Sequence, residues 1–261
     1  MQFLVNELKE LIRSYDLLKY LFLSDFKIRY QNKLLGFVWA ILDPLFMMLI
    51  YIILVEVIFQ RGGPQYPVLL FSALLPWRWF SLSTANSTKV LISNAKLIQT
   101  VKISTVTFPV NQVLLGLVNF LMGLVVLIPM LFIFDATINI NMLWAIPVIF
   151  TQFIFITGFA LLVSFVGVYF RDLENILQFA LKIGLYLSPA LYDLTMIPEK
   201  YLNIYLWVNP FASLLNTYKN IFVRGLPPDN IFLIFVAYSV FLFLLGVYIF
   251  NKYQKNIAKD I

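Results

Sequence analysis

Thirteen carboxylates and nineteen cations are all the charged chemistry this chain of 261 residues offers, and their spacing does not suit catalysis. Asp16, Asp25, Asp43, Asp135, Asp172, Asp193, Asp229 and Asp260, with Glu7, Glu10, Glu56, Glu174 and Glu199, form no close Asp/Glu cluster. A Mg²⁺-dependent enzyme acting on prenyl phosphates would need one. Histidine and cysteine are absent. That removes His-based triads, thiol nucleophiles, disulfides and the common zinc and haem ligand sets together. No Gly-x-x-x-x-Gly-Lys-Ser/Thr stretch occurs, so the backbone cradle that grips nucleotide phosphates is missing. Any work this chain does must be powered from elsewhere.

Three of the charges inside apolar runs carry more information than the rest. They are Asp43, Arg78 and Lys182. An ionisable group within hydrocarbon is costly and faces a partner or a wet cavity. Asp43 lies seven residues beyond Gly36 and Lys182 seven beyond Asn175, so each sits about 10 Å into its segment at 1.5 Å per residue. Asp43 is expected to pair with Lys182, to pair with Arg78, or to line a passage. Aromatic side chains form a second group: Trp39, Phe46, Phe179, Tyr186 and Tyr192. Their planes offer an apolar contact that tolerates sliding. Trp and Tyr also gather at membrane interfaces for their mixed polarity. Tyr186, just before Ser188-Pro189, is the strongest candidate of the five.

The elements that must position these residues are membrane helices. The chain is 61% hydrophobic and 12% charged, with 26 Phe and 14 Tyr, against about 25% charged residues in soluble domains. Crossing about 30 Å of hydrocarbon takes about 20 mostly apolar residues. Six stretches qualify, near 37–58, 66–88, 109–134, 143–168, 175–193 and 231–250. The second is the weakest, with Arg78 and the run SLSTANSTK. Without repeats or low-complexity tracts, one domain is expected over 1–261: cytoplasmic interface helices to 35, a membrane domain over 36–250, and a cytoplasmic tail from 251. No secretory signal is expected, since Glu7, Glu10 and Asp16 interrupt the first 24 residues.

Cation placement sets the orientation. With the N-terminus inside, Lys9, Arg13, Lys19, Lys27, Arg29, Lys33, Lys89, Lys96, Lys102, Arg171, Lys252, Lys255 and Lys259 are cytoplasmic. Arg61, Lys200, Lys219 and Arg224 are outside, and Arg78 and Lys182 lie within spans. Both termini are expected inside. Leu4, Leu8, Leu11, Tyr15, Leu18 and Phe22 recur every three or four residues, the pattern of a helix lying in the headgroup plane. Ser24 or Asp25 is expected to cap a second short helix. Between 188 and 230, Pro189, Pro198, Pro210, Pro227 and Pro228 punctuate apolar pieces too short to span, such as 199–208 and 211–223. Such pieces suit re-entrant helices on the outer side.

Four motifs then align in order. The approach to the first span carries Asp25, Arg29-Tyr30, Leu35-Gly36, Trp39 and Pro44; the loop over 93–109 carries Asn94, Leu97-Ile98 and Phe108-Pro109. Arg171-Asp172 opens the fifth span, and Ser188-Pro189, Tyr192, Ile197-Pro198 and Asn209-Pro210 follow it. Together they resemble the transmembrane subunits of bacterial ABC-2 polysaccharide exporters, the group that moves O-antigen, teichoic acid and capsule. The chain departs from the pattern at Asp43, where the family often has Trp or Asn before the first-span proline.

The resemblance implies an all-α integral membrane protein with six transmembrane helices, an N-terminal amphipathic interface helix and short re-entrant helices between spans five and six. It implies a homodimer with two separate nucleotide-binding ATPase subunits, which use the ATP and Mg²⁺; no cofactor is expected on this chain. The cargo would be a polysaccharide on an undecaprenyl-pyrophosphate lipid, crossing the bacterial cytoplasmic membrane, with no nucleic-acid partner. Trp39, Asp43, Phe46, Phe179, Lys182, Tyr186 and Tyr192 would line its path, with Lys182 available to the anionic linker. Asp25, Arg29, Tyr30 and Gly36 would shape the approach. Asn94, Lys96, Leu97, Ile98, Phe108 and Pro109 would couple to the ATPase, with Arg171 and Asp172 at the start of span five. The rival readings are an ABC-2 exporter of a small amphiphile or drug, a membrane enzyme acting on prenyl-linked sugars, and a passive channel needing no ATPase.

Overall fold

The computed structural model describes residues 15–30, 36–58, 63–100 and 104–260, and among these the chain is helical with no strand. Leu4, Leu8 and Leu11 of the expected interface helix, Leu35, Arg61 and Lys102 lie outside the described residues. Helix α1 covers Tyr15–Tyr30, and α2 covers Trp39–Ile52 between a 3-10 turn at Gly36–Val38 and a π-helical turn at Ile53–Ile58. Then come α3 (Tyr66–Ser87), the short α4 (Val90–Ser93) and α5 (Ala95–Thr100), and the long α6 (Thr107–Ile133). They are followed by α7 (Ala145–Tyr169), α8 (Leu173–Leu187), α9 (Glu199–Val208), α10 (Pro210–Lys219) and α11 (Phe232–Asp260). Gly36 begins the turn into α2 with φ of 46°, a left-handed backbone that suits glycine.

Thr107–Ile133, Ile140–Tyr169 and Phe232–Gln254 are long and apolar enough to cross a membrane. Helix α3 is not apolar in that sense, yet it forms the centre of the bundle. Val68, Phe71, Ala73 and Trp79 on it are almost fully buried against α6, α7 and α10. A helix walled by protein rather than lipid can carry polar side chains, provided their hydrogen bonds are made nearby. Ser72 Oγ donates to the Leu69 carbonyl (2.8 Å), Ser87 Oγ to the Ser83 carbonyl (2.7 Å) and Trp79 Nε1 to the Val113 carbonyl (3.1 Å). Within the run of serines and threonines, Ser83, Ser87 and Thr88 donate to nearby carbonyls, while Ser81 Oγ and Thr84 Oγ1 are buried without a hydrogen-bond partner.

Close backbone approach ties α7 to α11. A Cβ placed on Gly158 would stand 2.5 Å from the Phe243 backbone nitrogen, and one on Gly246 would stand 2.4 Å from the Gly158 carbonyl oxygen. Small residues at such crossings allow the van der Waals contact that holds helices together in lipid, where apolar burial gives no advantage.

Helix α8 stops at Leu187, earlier than the expected span of 175–193. Ser188 turns extended (ψ 151°) because the residue before Pro189 is crowded out of the helical region. Pro210 opens α10 at a position where its missing N–H leaves nothing unsatisfied.

The elements divide into two ends. At one, α4 and α5 sit with the starts of α6 and α8; at the other, α9 and α10 sit with the starts of α3 and α11. A large apolar core, including Phe71, Trp79, Phe120, Phe155 and Phe235, fills the bundle. A second cluster of Leu21, Leu91, Ile98, Phe108, Leu161 and Phe250 fills the α4–α5 end.

Candidate functional site

Helix α8 has the strongest division between faces, and it leaves most of its surface uncovered. Leu185 is its one buried side chain. Ile176, Phe179, Ile183 and Tyr186 recur at helical spacing and are exposed, Phe179 at 67% and Tyr186 at 59%. Lys182 is exposed between them. Helix α2 repeats the feature, with Phe46, Leu49, Ile50 and Ile53 about half exposed. Trp39 is half-buried at its start, with its ring 6.5 Å from that of Phe46. The long helices also expose apolar side chains, among them Phe132 on α6, Phe150 on α7 and Phe241 on α11, a surface that lipid covers; α8 differs in setting Lys182 within such a face.

The three charges singled out from the apolar runs sort themselves. Arg78 Nη2 donates to Asp43 Oδ2 at 2.8 Å, so Asp43 pairs with α3 and not with Lys182. Lys182 has no ion pair among the described residues.

At the α9–α10 end lies a cavity of about 1090 Å³, mostly apolar, walled by Leu54, Tyr66, Tyr186, Leu191, Tyr192 and Lys219 among others. It gathers two of the sequence-predicted residues, Tyr186 and Tyr192. Behind it the backbone is held by a dense polar network. The Leu187 carbonyl, last of α8, accepts from Tyr192 Oη (2.8 Å), Tyr205 Oη (2.7 Å) and Asn209 Nδ2 (3.2 Å). The two tyrosine hydroxyls lie 2.9 Å apart. Lys219, 4% exposed, donates from Nζ to the carbonyls of Pro189 (2.6 Å) and Tyr192 (2.7 Å). Arg224 pairs with Asp193 and also donates to Asn220 Oδ1 at 2.9 Å. Helix ends leave carbonyls without partners, and buried ones must find donors. Here tyrosine, asparagine and lysine supply them.

At the opposite end, Asp25 on α1 accepts from Asn111 Nδ2 (2.7 Å) and Gln112 Nε2 (3.4 Å) at the start of α6. Burial pushes the Asp25 carboxyl above its ordinary range, opposed by those hydrogen bonds and by the Arg29 charge. Asn94 Nδ2 donates to the Val90 carbonyl at 2.8 Å and marks the bend from α4 to α5. Ile98, Phe108 and Pro109 are buried, Leu97 is half-buried and Lys96 is exposed. Arg171 and Asp172 lie exposed in the turn before α8. Tyr30 closes α1, and Gly36 is half-buried in its turn.

The sequence-predicted residues thus fall into three places rather than one site: the α4–α5 end, the uncovered faces of α2 and α8, and the cavity. Sequence reasoning missed the network of Lys219, Arg224 and Asp193, taking both cations as outer-loop charges. One signal was present. Lys219 follows Tyr218 and precedes Ile221-Phe222, apolar neighbours that would draw its stem inward. Asp193, the partner of Arg224 and 31 residues before it, gave no local signal.

Comparison with known families and proteins gives one consistent answer. A family model described as ABC-2 type transporter matches residues 16–223. The chain is 31% identical over 246 residues to an O-antigen export system permease protein RfbA of Klebsiella pneumoniae, covering 94% of this chain and 95% of that one. It is 28% identical over 264 residues to the protein of the same name from Myxococcus xanthus, covering 99% and 100%. It is 22% identical over 244 residues to the polysialic acid transport protein KpsM of Escherichia coli, covering 90% and 92%. With a match over most of its length and relatives named as export permeases, the chain belongs to the ABC-2 type transporter family, as a membrane transport subunit.

Proposed function

We propose that this chain is the channel-forming subunit of an ATP-driven exporter that carries an undecaprenyl-pyrophosphate-linked polysaccharide, O-antigen-like or teichoic acid, across the bacterial cytoplasmic membrane. Two copies would face each other through α2 and α8, with two ATPase subunits seated beneath. The observation that carries the reading is the uncovered face of α8, where Phe179, Lys182 and Tyr186 stand exposed along one helix. Lipid contact alone would not favour a lysine there. A conduit between two copies accommodates it, with aromatic faces for sugar and one cation for the pyrophosphate. Relatives named for O-antigen and polysialic acid transport over nearly the whole chain support the cargo class.

In this reading α2, α3, α6, α7, α8 and α11 are six spans within a single domain, and both termini are cytoplasmic, as the excess of inner cations favours. Helix α1 lies in the inner headgroup plane. Helices α9 and α10 dip into the outer leaflet, and their cavity is the outlet. The α4–α5 segment docks on the ATPase, which binds the nucleotide and its Mg²⁺. Closure of the ATPase pair then shifts the spans.

Co-expression with the neighbouring ATPase and reconstitution into proteoliposomes tests this reading. The expected result is a complex of two copies of each subunit that moves lipid-linked polymer when ATP is added. Recovery of the chain without an ATPase, or polymer movement that ignores ATP, would rule it out. Transport of small amphiphiles with no polymer movement would favour the rival ABC-2 cargo.

A further inference from the structure

We infer that Lys89 and Glu174 are a positioning pair through which the α4–α5 segment steers the inner end of α8; this rests on the exporter reading. Lys89 immediately precedes α4, and its Nζ donates to Glu174 Oε1 at 2.8 Å. Glu174 lies in the first turn of α8, and the same oxygen accepts from Gln178 Nε2 at 3.3 Å, one turn further on. The carboxylate is thereby held between its own helix and the neighbouring segment.

What surrounds the pair makes it matter. Helix α8 meets the main core through Leu181, Gly184 and Leu185 in its second half, while from Leu173 to Ala180 it buries no side chain and contributes none to either apolar cluster. The α4–α5 segment is the opposite case. Val90, Leu91 and Ile98 are sunk in the second apolar cluster with Leu161 and Phe250, to which α8 contributes nothing. A Cβ on Gly167 would stand 1.9 Å from the Thr88 carbonyl oxygen, so the end of α7 rests on the residue beside Lys89. A push on residues 90–100 therefore reaches α7 through backbone contact and α8 through the ion pair. Exposed ion pairs contribute little to stability. Losing this one leaves the fold in place and separates nucleotide hydrolysis from export.

The test uses the full chain with its ATPase subunits in host cells, reading the host's own surface polymer, and the purified complex, reading ATP hydrolysis. Lys89→Glu and Glu174→Lys are each expected to lower polymer exported per assembled complex about fivefold or more, while hydrolysis stays within about twofold. The double reversal is expected to restore at least about half of the export, and Lys89→Arg to keep nearly all of it. Where a reversal lowers the yield of complex, Lys89→Gln read per assembled complex takes its place. Single variants that export normally overturn the inference, as does a double reversal no better than either single. An unsubstituted chain that assembles with no ATPase, or exports no polymer, would instead remove the reading beneath it.

Discussion

The two ends of the bundle are built from different materials. At the α9–α10 end, named donors meet named carbonyls: three on Leu187, and the Lys219 ammonium on Pro189 and Tyr192. At the α4–α5 end, buried aliphatic and aromatic side chains hold the segment, with exposed or half-exposed polar ties at Lys89–Glu174 and Asp25–Asn111. Hydrogen bonds specify direction as well as distance, so they fix one geometry. Apolar contact is non-directional and permits small slides. The comparison teaches that the α4–α5 end is packed so that it can shift, while the α9–α10 end is pinned to α8. Residues of that pinned end then follow α8 as a unit.

Substitutions can break this contrast, and the largest effect belongs at the pinned end. Lys219→Met is expected to cost about 3 kcal/mol, because two charge-assisted hydrogen bonds go and two carbonyls are left without donors. A fall in the unfolding midpoint of the purified complex would show it, and an unchanged midpoint would mean that the network holds nothing. Next, Gly167→Ala is expected to cost about 2 kcal/mol, since its Cβ would overlap the Thr88 carbonyl unless α4 moves. Here export should fall more than stability, because the yielding end relocates instead of unfolding. Equal losses in both would blur the distinction between the ends.

Smaller changes sharpen it. Tyr205→Phe removes one of three donors to Leu187, and about 1 kcal/mol is expected, because Tyr192 and Asn209 still reach that oxygen. Asp25→Asn should cost least, under about 0.5 kcal/mol. Its amide can accept from Asn111 and also donate to Asn111 Oδ1, a buried oxygen with no hydrogen-bond partner. The Asp25 carboxyl is raised above its ordinary value of 3.8. Between that value and the raised one, the folded state holds more proton than the unfolded state, so stability falls as pH rises through the window. The protection of α1 against hydrogen exchange, taken relative to the intrinsic amide rate at each pH, should therefore rise as pH falls towards the ordinary carboxyl value, and Asp25→Asn should abolish that rise. Protection of α1 that ignores pH in the unsubstituted chain would contradict this docking.

Legibility from sequence varied with the range of the interaction. The long apolar runs that became α6, α7 and α11 were plain, because hydropathy over twenty residues averages out local detail. The break before Pro210 was also legible, since proline acts on its immediate neighbour, whereas the stop at Leu187 was not, because hydropathy carried the expected span on to 193. Helix α3 read as the weakest span, though it is the most enclosed, because polarity alone does not tell lipid from protein surroundings. The partner of Asp43 stayed open among three alternatives, and the structure decided for Arg78, 35 residues away.

By itself, then, the sequence determined a helical membrane protein, because composition, periodicity and local backbone sterics are written in consecutive residues. Tertiary structure alone decided which helix is central, which charges meet, and that Lys219 and Arg224 face inward on Pro189, Tyr192 and Asp193. Those outcomes depend on which surfaces are within a few ångströms of one another, and packing across distant segments settles that.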